Sequence, residues 1–239
     1  MPTAREALLD AAFTALAVRP WSGVRMVDVA AAAGVSRQTL YNEFGTKDGL
    51  ARALVRREAD GFLAGVERAL AGRPAERTAG RGTVRAAPAA ARTAGPEDRL
   101  VAVAEFTVGA ARVNPFVRAL LTGCWGDRLP APRPARTVPY TAVSPVPAQR
   151  RADAGSPGPA ELIAAVRDRA LAALGTGRTK EEAAEIAYRC ELVLRLALSY
   201  VLAPTAPGGG FTRLLHRALA GAGPGGPGLS GPSPRAGGR

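Results

Sequence analysis

Apolar residues recur at helical spacing from near the start of the chain. Leu9, Ala12, Phe13 and Leu16 share one face of a segment running from Thr3 to Val18, the period of a helix packed on one side. Thr3 and Glu6 have the spacing of a capping box, and Pro20 blocks easy continuation of the helix. A second short helix fits Arg25–Ala32, with Val29 and Ala30 turned inward. Gly34 breaks it, and Ser36 is placed to cap a third helix reaching about Phe44, whose Leu40 and Phe44 share a face at i,i+4. Gly45 ends this element and Thr46 can cap the next, with Asp48 complementing the positive helix start. That fourth helix carries Leu50, Leu54, Phe62, Val66 and Leu70 and ends near Ala71. It is long for a globular helix and reads as a rod joining two modules.

Helical periodicity resumes at Pro96, with Leu100, Val103, Ala104 and Val108 on one face as far as Val113. Pro115 begins another helix, bearing Phe116, Leu120 and Leu121 and reaching toward Trp125. A further helix starts at Pro159 and holds Leu162, Ile163, Val166, Leu171 and Leu174. Thr179 to Glu182 forms a second capping box. The helix after it runs to about Ala203 and has two apolar stripes. One comprises Ala183, Ile186, Cys190, Val193 or Leu194, and Ala197; the other comprises Tyr188, Leu192, Leu196 and Ser199. Such a helix must bury two faces, one of them against a partner beyond its own domain. A last helix, Phe211–Ala220, presents Phe211, Leu214, Leu215 and Leu219. No segment shows strand alternation, so the expected fold is all-α.

Between these elements lie an Ala/Arg/Gly-rich stretch at 72–95, a proline-rich stretch at 126–158 and a Gly/Pro tail at 221–239. Their composition predicts two flexible insertions and a disordered tail.

Charge changes the picture less than its size suggests. The formal net charge is +12, carried almost wholly by arginine. Arg73, Arg77, Arg81, Arg85 and Arg92 face a single acid, Glu76, within the first insertion, whereas residues 1–60 are nearly balanced. The excess is therefore either solvated linker or an auxiliary, salt-sensitive grip on phosphates. Cys124 and Cys190 are distant and lack metal-ligand spacing, so both are expected as buried, reduced thiols. His216 has no ligand cluster around it. No metal or cofactor is expected. The charged N-terminus is unlike a secretory leader, and no apolar run reaches the roughly 18 residues of a membrane span; a cytoplasmic location is the expectation.

The stretch from Asp28 to Leu50 has the physics of a helix-turn-helix. Ala30 is small where two helices cross, Gly34 sits where the turn needs a positive φ, Val35 fills the angle, and Ser36 caps the helix whose start meets a groove. Val29-Ala30, Ala33-Gly34-Val35-Ser36, Thr39-Leu40-Tyr41, Phe44, Lys47 and Leu50 follow one another without a gap. In this spacing the chain resembles the TetR family of bacterial regulators, strongly from Thr3 to about Arg57. Asn114-Pro115 and Arg195–Pro204 are weaker points of likeness. Two features depart from the family pattern. Val24-Arg25-Met26 stands where helix two usually opens with Thr or Ser, and Pro20 replaces the usual glycine after helix one.

The resemblance implies a helix-turn-helix DNA-binding domain at residues 1–47 and a helical regulatory and dimerisation domain at 48–220. Arg37, Gln38 and Asn42 would face base edges. Ser36, Thr39, Tyr41 and Lys47, with Arg25 as a substitute cation, would position the duplex. The expected partners are a double-stranded palindromic operator, a second copy paired through helices 179–203 and 211–220, and a small-molecule effector. Phe106, Arg112, Phe116, Trp125 and Tyr188 are the larger or polar side chains available to line an effector pocket; each has a plain core role as its alternative. The family's usual mode is ligand-responsive repression. Two other classes compete: a sequence-independent basic DNA binder using the arginine-rich insertion, and a helical enzyme. Against the enzyme stands the lack of any catalytic constellation or phosphate-binding loop.

Overall fold

A computed structural model describes residues 3–72, 95–131, 157–204 and 210–221. Most of the 72–95 insertion, of the 126–158 stretch and of the 221–239 tail lies outside these residues. Among the described residues every regular element is a helix. In chain order these are α1 (Ala4–Val18), a single 3-10 turn (Trp21–Gly23), α2 (Met26–Ala32), α3 (Arg37–Phe44) and α4 (Lys47–Leu70). They continue with α5 (Pro96–Val113), α6 (Pro115–Thr122), α7 (Pro159–Leu174), α8 (Lys180–Leu202) and α9 (Gly210–Gly221).

Local chemistry explains where these helices begin. Thr3 and Glu6 form a reciprocal capping box on α1, and Thr179 and Glu182 form another on α8. The backbone hydrogen bond from Thr3 holds the Glu6 carboxyl below its ordinary pKa. The Thr46 hydroxyl accepts from the Gly49 N–H at the head of α4. Asn114 caps α6 by accepting from the Phe116 N–H at 2.9 Å, with Pro115 in the first helical position. Trp125 falls outside α6, which stops at Thr122. A helix to Trp125 is thereby corrected, because Gly123 ends the element. The 3-10 turn at Trp21–Gly23 carries too short a run to leave a periodic signal.

Helices α1, α2 and α3 pack together and onto the first half of α4, forming the head. Leu8, Ala12, Leu16, Val29, Ala30, Leu40 and Phe44 supply its core. The rest of α4 packs against α5, α6 and α7, and α8 lies on α5 and α7, forming the body. Phe116, Leu120, Leu162, Val166, Val193 and Leu194 are buried there. One stripe of α8 is buried through Ile186, Cys190, Val193, Leu194 and Ala197. The other stripe keeps Tyr188 and Ser199 exposed and Leu192 and Leu196 half-buried. Arg189 ties α8 to α5 through Glu97, and α8 to itself through Glu185. The hydrogen bond to Glu185 raises the Arg189 pKa, and that to Glu97 adds to it.

The two cysteines part company. Cys190 is fully enclosed, and burial pushes its thiol up to about 11. Cys124 is exposed just beyond α6, so a buried thiol is corrected there. Gly123 and Cys124 lie on the surface, while Trp125 and Leu129 further along the same segment pack partly against the core.

Candidate DNA interface

The recognition geometry begins at Gly34, whose φ of +68° lets the chain reverse between α2 and α3. The Val35 N–H donates to the Ala30 carbonyl at 3.1 Å and draws the two helices together. Ser36 then caps α3: its hydroxyl accepts from the Thr39 N–H at 3.0 Å and pairs with the Thr39 hydroxyl at 2.9 Å. With Leu40 and Phe44 buried, the opposite face of the helix is left to Arg37, Gln38, Tyr41 and Asn42, all exposed. Positions i, i+1, i+4 and i+5 share one helical face. The structure thus brings the four together. Gln38 Nε2 donates to Asn42 Oδ1 at 2.9 Å, joining two of them.

Contacts from Arg5 that periodicity does not reveal hold this helix in place. The Arg5 guanidinium of α1 lies 4.7 Å over the Phe44 ring. It also reaches Glu43 Oε2 at 3.3 Å and donates to the Glu43 carbonyl at 3.4 Å. A cation is thereby set at the negative C-terminal end of α3. Nothing in the order of residues signals this pairing, which depends on how α1 crosses α3.

Lys47 stands at the other end of the motif. Its ammonium donates to the Ser22 carbonyl at 3.2 Å and lies 5.1 Å from the Trp21 ring centroid. Burial pushes its pKa below the ordinary lysine value, with Asp48 opposing. The Trp21 N–H in turn donates to the Arg128 carbonyl at 2.9 Å, so the turn after α1 is held by the segment leaving α6. Arg25, at the start of α2, is exposed and makes no side-chain cap there. Nearby, Arg19 and Asp28 pair across α1 and α2 at 3.3 Å.

Head and body meet in a ring of contacts around Arg57 of α4. Its guanidinium reaches Asp10 of α1 at 2.6 Å and Glu58 at 3.0 Å, and lies 5.7 Å over the Phe13 ring. The second oxygen of Glu58 accepts from Asn114 Nδ2 at 2.8 Å. Asn114 caps α6, whose Phe116 stacks on Phe13 at 5.8 Å and closes the ring. Helix α1 is therefore bound to the α5–α6 corner as well as to α4.

The five residues considered for an effector pocket take different partners. Phe106 stacks on Phe62, Arg112 lies over Tyr200, and Phe116 is in the core against Phe13. Trp125 is partly buried beyond α6, and Tyr188 is 58% exposed on α8. An open recess of about 490 Å³ lies between α1 and α2, lined by Ala7, Ala11, Ala15 and Ala33 together with the charged Asp10, Arg19, Arg25 and Asp28. Among the described residues no group of three or more His, Cys, Asp or Glu could hold a metal ion. Nor, among them, is any single helix long and apolar enough to cross a membrane.

Residues 8–54 match the family described as bacterial regulatory proteins, tetR family. The HTH-type transcriptional regulator AlkX of Mycobacterium tuberculosis is 47% identical to this chain over 66 residues, 28% of this chain and 31% of the relative. The match thus spans about a third of that relative's length. The TetR family repressor AlkX from Dietzia sp., implicated in biodegradation of n-alkanes, aligns over 91% of this chain and 94% of its own at 21% identity, with a TM-score of 0.47. A tetR-family regulator from Streptomyces coelicolor aligns over 93% and 83% at 17% identity, with a TM-score of 0.49.

Proposed function

We propose that the chain is a member of the tetR family of bacterial regulatory proteins, whose model matches residues 8–54, and that it is a homodimeric, ligand-responsive repressor of a palindromic operator. One observation carries the DNA-reading part. A capped α3 turns Arg37, Gln38, Tyr41 and Asn42 outward together while Leu40 and Phe44 anchor its other face. Arg37 offers donors suited to guanine, and Gln38 offers an amide suited to adenine. Ser36, Thr39, Tyr41, Lys47 and Arg25 position the backbone. Residues 1–47 serve as the DNA-binding domain and 48–220 as the regulatory and dimerisation domain.

A single short recognition helix makes few contacts, so tight binding needs two copies roughly 34–36 Å apart. The second face of α8 supports such a pair. Tyr188 and Leu202 are 58% and 61% exposed on it, and Leu214 of α9 is 50% exposed. Helices 179–203 and 211–220 of two copies would form a four-helix bundle. The effector is a small, fairly apolar molecule that wedges between helices of the body, and Phe106, Arg112, Phe116, Trp125 and Tyr188 are the positions to probe. Its action reaches the head along α4. The protein works in the cytoplasm as a regulator and not as an enzyme.

Selection of DNA from a random pool by the purified protein tests this reading. A palindromic motif is expected, and Arg37→Ala should relax one position in it by about 1–3 kcal/mol. Enrichment of no motif, with binding that depends on salt alone, would replace a sequence reader by a basic, sequence-independent binder.

A further inference from the structure

Gln38 and Asn42 stand one helical turn apart on the outer face of α3, and their side chains are bonded to each other at 2.9 Å. Both are exposed, so the protein interior gives neither a fixed orientation. The bond supplies one. Gln38 Nε2 is turned toward Asn42, which leaves Oε1 and the second N–H of Gln38 for the groove. Asn42 has its Oδ1 turned back along the helix toward Gln38.

Orientation matters because adenine presents an acceptor, N7, beside a donor, N6–H, in the major groove. A carboxamide held one way round matches that order; one free to turn over also fits a neighbouring donor–acceptor pair in the opposite order. Asn42 is less suited to reading adenine itself, since the bidentate contact needs its oxygen and its N–H aimed outward together.

We infer that Asn42 is a positioning residue, which reads no base of its own and locks the Gln38 carboxamide so that it selects adenine. This rests on the DNA-reading function proposed above. Thr39 and Ser36 support the arrangement from the helix start, where their hydroxyl pair fixes the first turn. Arg37, one residue before Gln38, offers donors only and reads independently.

The test is quantitative sequencing of DNA selected from a random pool by the full chain and by Gln38→Ala, Asn42→Ala and Asn42→Asp. Gln38→Ala identifies its base by flattening one position of the wild-type motif. The expectation is that Asn42→Ala flattens that same position, by roughly tenfold in base preference, with an unchanged melting temperature. Asn42→Asp keeps an acceptor facing Gln38, so it should retain the adenine preference while binding all DNA more weakly beside the phosphates. If Asn42→Ala instead relaxes a different position, Asn42 contacts its own base and the inference fails. It fails equally if the Gln38 position keeps its preference in Asn42→Ala, or if Asn42→Asp loses it. Absence of any motif with the wild-type protein would overturn the regulatory reading itself, an outcome distinct from all of these.

Discussion

The Phe106 ring of α5 is seated directly on Gly65 of α4: a Cβ added to Gly65 would lie 2.0 Å from Phe106 Cζ. The same ring stacks on Phe62 with centroids 5.7 Å apart. One missing side chain therefore sets how closely α5 approaches the rod. Gly65→Ala should lower the melting temperature, although alanine favours a helix interior by about 1 kcal/mol. The added methyl must expel the ring from its stack, and overpacking of this kind costs about 1–3 kcal/mol. Gly61, on the same helix, has nothing within 4 Å of an added Cβ, so Gly61→Ala should raise the melting temperature. Thermal denaturation of the two variants side by side separates the local contact from helix propensity.

Glu58 and Asn114 hold the α5–α6 corner to α4, with the Glu58 side chain only 12% exposed. Asn114→Ala removes both that bond and the cap of α6, a loss of about 1–2 kcal/mol for the cap alone. Glu58→Gln keeps the shape but weakens the bond to Arg57. A double-mutant cycle should give a coupling of about 0.5–3 kcal/mol, as for other residues in one hydrogen-bonded network. Additive losses would mean that the ring around Arg57 carries no cooperative connection between head and body.

Cys124 and Cys190 should differ in reactivity. Cys124 is exposed and should be alkylated quickly in the native protein, whereas Cys190 should react only as fast as the fold opens. The pKa of about 11 for Cys190, raised by burial from 9.0, also has a sign for stability. Between these values the folded thiol keeps a proton that the unfolded one has lost, so stability falls as pH rises across that window and is unaffected below it. Cys190→Ala should remove this part of the alkaline slope in denaturant titrations at pH 8.5, 9.5 and 10.5.

Tyr188 and Leu214 leave apolar surface in water on α8 and α9. Leu214→Arg, combined with Tyr188→Glu, should turn a dimer into a monomer by sedimentation and weaken DNA binding by at least an order of magnitude, since one head then binds alone. Helix content should stay the same, because neither side chain is in the monomer core.

Local chemistry was legible along the chain: the caps at Thr3, Ser36, Thr46 and Thr179, the turn at Gly34, and the buried stripes through Leu40–Phe44 and Ile186–Cys190. These depend on residues within about four positions of one another, which is the reach of a helical turn. The resemblance at Val29–Leu50 belongs to the same range, and so does the outward face of α3. What only the tertiary structure decided are the meetings of distant residues. Arg5 on Phe44, Trp21 on Arg128, Arg57 between Asp10 and Phe13, and Phe106 on Gly65 each join separate elements. Phe106 and Phe116 looked alike in sequence, as large rings among small apolar neighbours. Packing gave one to the α4–α5 crossing and the other to the joint with α1, because the angle at which helices cross depends on the whole set of side chains between them.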